Sequence, residues 1–375
     1  MEAEELKILP GLRRRRLAFQ SQLARVLRHH YRTRAPIRSL LYSDRVHGVG
    51  GAYPRFMIGK QAVIAVDPDE ASPTVNAIMR AALMWSALVD GRIAVVVPKF
   101  RAQTIQNRLA VMPRMRELFE WLEWDGGGIS PLPIPGPAVQ SEVHEFEPIS
   151  IPSEVAAQLS RFPELQAVMN ISGRTLSLRF RGIEVIQVGQ QSVTYPLGKA
   201  VEKVLQDLEK VRRPGSRHPL ARAHQERWLE SNLIREIGRV LPSVDPAHIY
   251  PQVPSIAGDE RDIIDLLMVT RQGRLVVMEI KATADPDLPF QALDYWIAVE
   301  RHRQAGDFQN KGYFRGIRLA HEPALLVLAA PLLSFHKSLK RMTSVFPKDL
   351  SLLQLGLNQG WKREIKILRR QGLLG

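Results

Sequence analysis

The chain has 375 residues, enough for two domains of ordinary size, and its 45% hydrophobic and 24% charged residues are those of a folded globular protein. It has no cysteine, which excludes disulfides, thiol nucleophiles, iron–sulfur clusters and cysteine zinc sites together. A net charge of +14 and an isoelectric point near 10.2 point to a polyanionic partner, nucleic acid first. An arginine-preferring genome would produce the same balance. The acidic start lacks an apolar segment with a cleavage site, and no apolar run reaches the ~20 residues that span a bilayer. The expectation is a cytoplasmic protein with no membrane partner.

Leu12 to Tyr31 has the spacing of a basic amphipathic helix, with Phe19, Leu23, Val26, Leu27 and Tyr31 on one face. The dense Arg13–Arg16 cluster is either a solvated face or a phosphate contact. His47–Gly51 reads as a loop. It is not a phosphate loop, because Pro54 and Gln61 stand where a glycine and a Ser or Thr are needed. Ala62–Val66 and Ile93–Val97 read as strands, and Pro73–Val89 and Arg101–Val111 as helices. This alternation predicts a small α/β unit with parallel pairing. Asp67 ends the first of these strands without a Glu-x-Lys partner, so catalysis is not expected there.

Gly126–Pro137 reads as a linker or long loop, and Val143–Ile151 as extended. Leu176–Phe180 and Ile183–Val188 read as a hairpin turning at Arg181-Gly182, with a further short strand at Ser192–Tyr195. Lys199–Val211 is a charged helix that stops before Pro214-Gly215, and that break is the expected domain boundary: residues 1–213, then 214–375. The first domain is expected to be α/β or α+β and to position DNA or a partner. No repeat of sequence is evident.

Pro219–Leu241 reads as one long helix with Trp228, Leu229, Leu233, Ile237 and Val240 on its apolar stripe. Two apolar strands follow, joined at Arg271-Gln272-Gly273. Asp265 lies in the first and Glu279 and Lys281 in the second. Residues two apart in a strand share a face, so Glu279 and Lys281 project to one side. Charges in such apolar runs are paired or bind a metal. Phe290–Arg303 reads as a helix placing Gln291 and Tyr295 on one face. Ala324–Leu328 reads as a strand, His336–Val345 as a helix and Trp361–Leu368 as a closing strand.

Asp265, Glu279-Ile280-Lys281 and Gln291-x-x-x-Tyr295, in this order, resemble the PD-(D/E)xK nuclease superfamily, specifically its RecB-type branch. The resemblance covers the chain from about His218 onward. It implies a restriction-endonuclease-like mixed sheet flanked by helices and metal-dependent hydrolysis of DNA. Mg²⁺ or Mn²⁺ would be held by Asp265, Glu279 and a helix glutamate, Glu226 or its alternative Glu230. Catalysis would rest on Glu226, Asp265, Glu279 and Lys281, with Gln291 and Tyr295 contacting the scissile strand or bracing the lysine. Asp262 reads as a charge at the start of its strand. Such nucleases serve repair, recombination or defence. This chain has no helicase motif, so a motor or repair partner would be a separate protein. Two alternatives stay open: a catalytically silent nucleic-acid-binding or scaffold protein, and a nuclease acting on RNA. His218 with His224, His29 with His30, and the core-spaced Trp228 and Trp296 are not expected to carry chemistry.

Overall fold

The computed structural model describes residues 10–40, 52–135, 153–162, 164–170, 175–189, 193–194, 199–257 and 260–374. The predicted loop at His47–Gly51, the extended segment at Val143–Ile151 and the end of the predicted linker lie outside them. Contacts divide the chain into two units, Met1–Ala138 with Ser344–Pro347, and Val139–Thr343 with Lys348–Gly375. Residues 139–213 therefore group with the C-terminal unit, although the break at Pro214-Gly215 placed them with the N-terminal one. Among the described residues no helix is long and apolar enough to cross a membrane.

The first unit opens with α1 (Pro10–His30), which buries Phe19, Leu23 and Leu27. Then come β1 (Ile37–Leu40), β2 (Arg55–Ile58) and β3 (Gln61–Ala65), α2 (Ser72–Asn76) and α3 (Ile78–Trp85), and β4 (Ile93–Pro98). The unit closes with α4 (Gln103–Val111), α5 (Pro113–Leu118), β5 (Phe119–Trp124) and β6 (Ile129–Pro131). The strands form one sheet in sequence order. β3, β4 and β5 run parallel, as the strand–helix alternation requires, and the outer pairs are antiparallel. The α1 stripe packs on Phe56, Val63, Ala65, Val96 and Leu122 of one sheet face. Each such buried aliphatic contributes roughly 1.5–3 kcal/mol.

The Arg13–Arg16 cluster is partly consumed inside this unit. Arg16 Nη2 lies 2.6 Å from Glu70 Oε1, and Arg15 Nε lies 3.8 Å from Asp67 and 3.6 Å from Asp69.

The second unit begins with α6 (Ser153–Arg161) and a four-stranded antiparallel sheet of β7 (Leu165–Asn170), β8 (Thr175–Phe180), β9 (Ile183–Val188) and β10 (Val193–Thr194). α7 (Lys199–Val211) covers it through Val201, Leu205 and Leu208. The expected single helix Pro219–Leu241 is corrected to three pieces: α8 (Pro219–Arg222), α9 (Gln225–Arg235) and α10 (Ile237–Val240). His224, at φ 45°, adopts a left-handed backbone that no helix interior contains, and it breaks the run.

A second six-stranded sheet follows. It is built from β11 (Val244–Ala257), β12 (Glu260–Thr270) and β13 (Leu275–Ile280), α11 (Leu288–Ala305) and α12 (Asp307–Asn310), β14 (Leu325–Pro331), α13 (Leu339–Thr343), β15 (Ser351–Leu357) and β16 (Ile367–Leu374). The predicted helix at His336–Val345 shortens to α13. The predicted closing strand starts six residues later, at Ile367. β13, β14 and β15 are parallel and the outer pairs antiparallel. Gly273 makes the β12–β13 turn at φ 89°, and a Cβ there would meet the Arg318 carbonyl oxygen at 2.0 Å.

The two six-stranded sheets repeat one plan. Each has a leading helix, two antiparallel pairings, two parallel crossovers through helices and a final antiparallel strand. Val66 N donates to the Val96 carbonyl in the first sheet, as Lys281 N does to Ala329 in the second. Aligned on this bond, Ile64 and Val66 stand where Glu279 and Lys281 stand. Arg55, the ladder partner of Ile64, takes the place of Asp265. Among the described residues the scaffold occurs twice, and the carboxylate–lysine set once.

Candidate active site

Asp265 sits on β12 one step beyond the Leu266–Met278 pair, which sets it across the ladder from Glu279. Met278 and Ile280 pack with Trp228, Leu229 and Leu233 of α9, so Glu279 and Lys281 point to the other side of the strand. Asp265 Oδ2 accepts the Ile280 backbone N–H at 2.7 Å, which locks the carboxylate against β13. Glu279 is 1% exposed. Its Oε1 is 3.1 Å from Lys281 Nζ, and its buried Oε2 has no hydrogen-bond partner. Asp285, in the loop after β13, stands 3.9 Å from the same Nζ.

Burial and neighbouring charge act together on these groups. Burial, ahead of the Glu226 charge, pushes the Asp265 carboxyl up to about 6. Burial and then the Asp265 charge hold Glu279 well above the ordinary carboxylate range. Burial alone would lower Lys281, but the charges of Glu279, Glu226 and Asp265 outweigh it and raise the ammonium above its usual value. Two crowded carboxyls with a single lysine resist ionising together, and a bound cation would relieve that.

Both helix glutamates come to this place. Glu226, in the first turn of α9, is exposed, and its charge reaches Asp265 and Lys281. Glu230, one turn on, is 2% exposed and held by protein groups. Gln252 Nε2 donates to its Oε2, and Arg179 Nη1 stands 3.6 Å from its Oε1. Burial, then the Asp265 charge, pushes Glu230 up to about 8. α11 lies against β13, and on it Gln291 Nε2 donates to Tyr295 Oη at 3.1 Å. That sequence-predicted pair is interlocked, with Tyr295 buried. Asp262 pairs with Ser255 near the far end of the β11–β12 ladder.

A metal was expected at Asp265, Glu279 and Glu226. Among the described residues no group of three or more His, Cys, Asp or Glu side chains is spaced to hold one. The Asp265–Glu279 pair nevertheless suits a hard divalent ion. It offers oxygen donors and an orphaned buried Oε2, and Mg²⁺ binds through one or two carboxylates while keeping its waters.

Sequence reasoning missed Gln252, Arg179 and Asp285. Gln252 falls between the Pro251–Leu266 and Val253–Ile264 pairs, opposite Asp265, at φ 55°. A glutamine carries no signal for that backbone. Arg179 lies upstream of the segment that the resemblance covers, and Asp285 follows the strand in an unremarkable loop. His218 accepts the Leu220 N–H and caps α8, and Trp228 and Trp296 are buried, as core-spaced residues should be. Comparison of the chain with protein-family models, curated proteins and solved structures gave no match.

Proposed function

We propose that the site hydrolyses phosphodiester bonds of DNA with Mg²⁺ or Mn²⁺, on a restriction-endonuclease-like core. One observation carries the reading: facing carboxylates on adjacent strands, Asp265 half-buried and Glu279 buried with one oxygen orphaned, and a lysine 3.1 Å from Glu279. The order of Asp265, Glu279 and Lys281 followed by the Gln291–Tyr295 helix supports it, as does the +14 net charge.

Asp265 and Glu279 would hold the ion, with Glu226 closing from the first turn of α9. When bound, the ion neutralises phosphate charge and acidifies a bound water. Lys281 has a carboxylate partner that keeps it protonated, so it orients the attacking water or stabilises the pentacovalent phosphate, as a donor and not as a base. The Ile280 N–H fixes the Asp265 carboxylate against β13, across the ladder from Glu279. Gln291 and Tyr295, interlocked on one face of α11, would contact the scissile strand or brace the lysine.

Plasmid and single-stranded DNA are incubated with Mg²⁺ or Mn²⁺ and wild type, Lys281→Ala or Asp265→Ala. Cleavage by wild type alone is the expected result. Equal activity in all three sinks the site. DNA binding without cleavage in either metal marks a silent binding protein, and cleavage of RNA alone moves the substrate class.

A further inference from the structure

Helix α1 packs one side on the first sheet and turns a basic side outward. Its sequence contains no acid, and among the described residues its ion pairs are confined to Arg15 and Arg16, which face Asp67, Asp69 and Glu70. Arg14, Arg25 and Arg28 fall on one side of the helix and are exposed. Beside this charge, within the first unit, a cleft of about 450 Å³ opens between α1 and the turn from β5 to β6.

The turn is pinned in place. Gln22 Nε2 donates to the Gly126 carbonyl at 2.8 Å, and Asp125 Oδ1 accepts the Gly127 and Gly128 N–H groups at 2.9 and 2.8 Å. The turn's own acid therefore commits an oxygen to its backbone. Val26 and Ile129, partly buried on the α1 core, give the cleft apolar surface. Arg25 and His29, one helical turn apart, line it together with His30. Glycines 127 and 128 form the facing wall and put no side chain into the space. The cleft thus joins an apolar patch, two imidazole rings and an exposed guanidinium, on a helix whose outer charge no acid of its own offsets.

We infer that this cleft binds one unpaired nucleotide of a DNA strand. The base lies on the apolar patch and against the imidazole faces, since stacking of this kind accepts any base. The Arg25 fork takes the adjoining phosphate, and Arg14 and Arg28 supply charge to neighbouring phosphates. A base paired in a duplex stays inside its stack, so the cleft selects single-stranded DNA. The site lies in the first unit and needs no metal, and it goes beyond the hydrolysis reading.

Binding of labelled oligothymidylate, and of a duplex of the same length, is followed by fluorescence anisotropy in EDTA. Wild type is compared with Arg25→Gln and with the cleft-filling variants Gly127→Leu and Gly128→Leu, folding being checked by circular dichroism. A Cβ at either glycine meets only Asp125 Oδ1, at 3.9 and 4.0 Å, which is ordinary contact, so both variants should fold. Each filling variant keeps every charge and is expected to weaken oligothymidylate binding about tenfold or more, with duplex affinity little changed. Arg25→Gln is expected to weaken oligothymidylate binding and to lower the slope of log affinity against log salt by about one. Filling variants that bind the strand as wild type does, or that lose strand and duplex binding equally, overturn the proposal even if the protein cleaves DNA. If strand binding depends on the cleft while no metal supports cleavage, the hydrolysis reading fails and the nucleotide site stands.

Discussion

Gln252 donates its side-chain amide to the buried Glu230 carboxylate from a left-handed backbone position, directly across the ladder from Asp265. A non-glycine residue there stores strain of roughly 1–3 kcal/mol, and such strain gathers at functional sites. Here it turns one side chain out of strand register to hold a helix carboxylate.

Removing that amide separates two effects. Gln252→Ala keeps the strained backbone and leaves a buried Glu230 oxygen without its donor, at a cost of about 1–3 kcal/mol. Gln252→Gly loses the same bond but relieves the backbone, so it should be less destabilised, by about 1 kcal/mol. Urea unfolding at one pH measures both. A glycine variant less stable than the alanine one would remove the strain argument.

Glu230 predicts a pH signature. Its carboxyl is raised from 4.5 to about 8 in the folded chain, burial being the largest cause and the Asp265 charge the next. Between those values the native state holds a proton that the unfolded state has lost. The stability this contributes is complete below 4.5 and disappears as pH rises through about 8. Glu230→Gln cannot ionise, so its melting temperature should gain on wild type steadily from pH 5 to pH 8 and then level off. A difference that stays constant across that window would contradict the placement.

Much of the local structure could be read from the residues, because it is set by neighbours in sequence. The hairpin of Leu176–Phe180 with Ile183–Val188, and the helix Lys199–Val211, follow from alternation, a turn at Arg181-Gly182 and a proline–glycine stop. Asp265, Glu279 and Lys281 stood out because charge interrupts apolar strands. What stayed hidden depends on partners distant in sequence. β5 follows α5 with no turn residue, and Glu120 and Glu123 disguise it. β11 carries Pro246, Pro251 and Pro254, tolerable because it is an edge strand, which its sequence alone does not reveal. The doubled sheet plan shows no sequence repeat, because Arg55, Ile64 and Val66 replace the chemistry while the apolar pattern alone preserves the scaffold.

Metal binding should be linked to protons. Asp265, at about 6, and Glu279, held well above its usual range, must both lose protons before they can take an ion. Mn²⁺ affinity should therefore rise from pH 5 to pH 8 and release protons, visible as a buffer-dependent heat in calorimetry. Without metal, the raised carboxyls make stability fall as pH rises through the same window. Saturating Mn²⁺ should reverse that slope, and a chelator should restore it. Glu279→Gln should weaken binding by about tenfold or more. Affinity independent of pH would remove the pair as the ion's site.

Gly182→Ala tests the docking of the hairpin against the carboxylate pair. The backbone there is at φ 79°, and the added Cβ would meet Arg227 C at 2.5 Å and its carbonyl oxygen at 2.6 Å, both main-chain atoms that cannot swing aside. Separating the turn from α9 stretches the Arg212 bonds to Arg181 and to the carbonyls of Ala223 and His224, and carries Arg179 away from Glu230. The expected outcome is faster amide exchange in Thr175–Phe180 and Ile183–Val188. Mn²⁺ affinity should stay near wild type, because Asp265 and Glu279 are held by β12 and β13 and not by the hairpin. If Mn²⁺ affinity fell together with the exchange protection of the hairpin, the hairpin would be part of the metal site's own support, and the independence of the β12–β13 pair from it would be wrong.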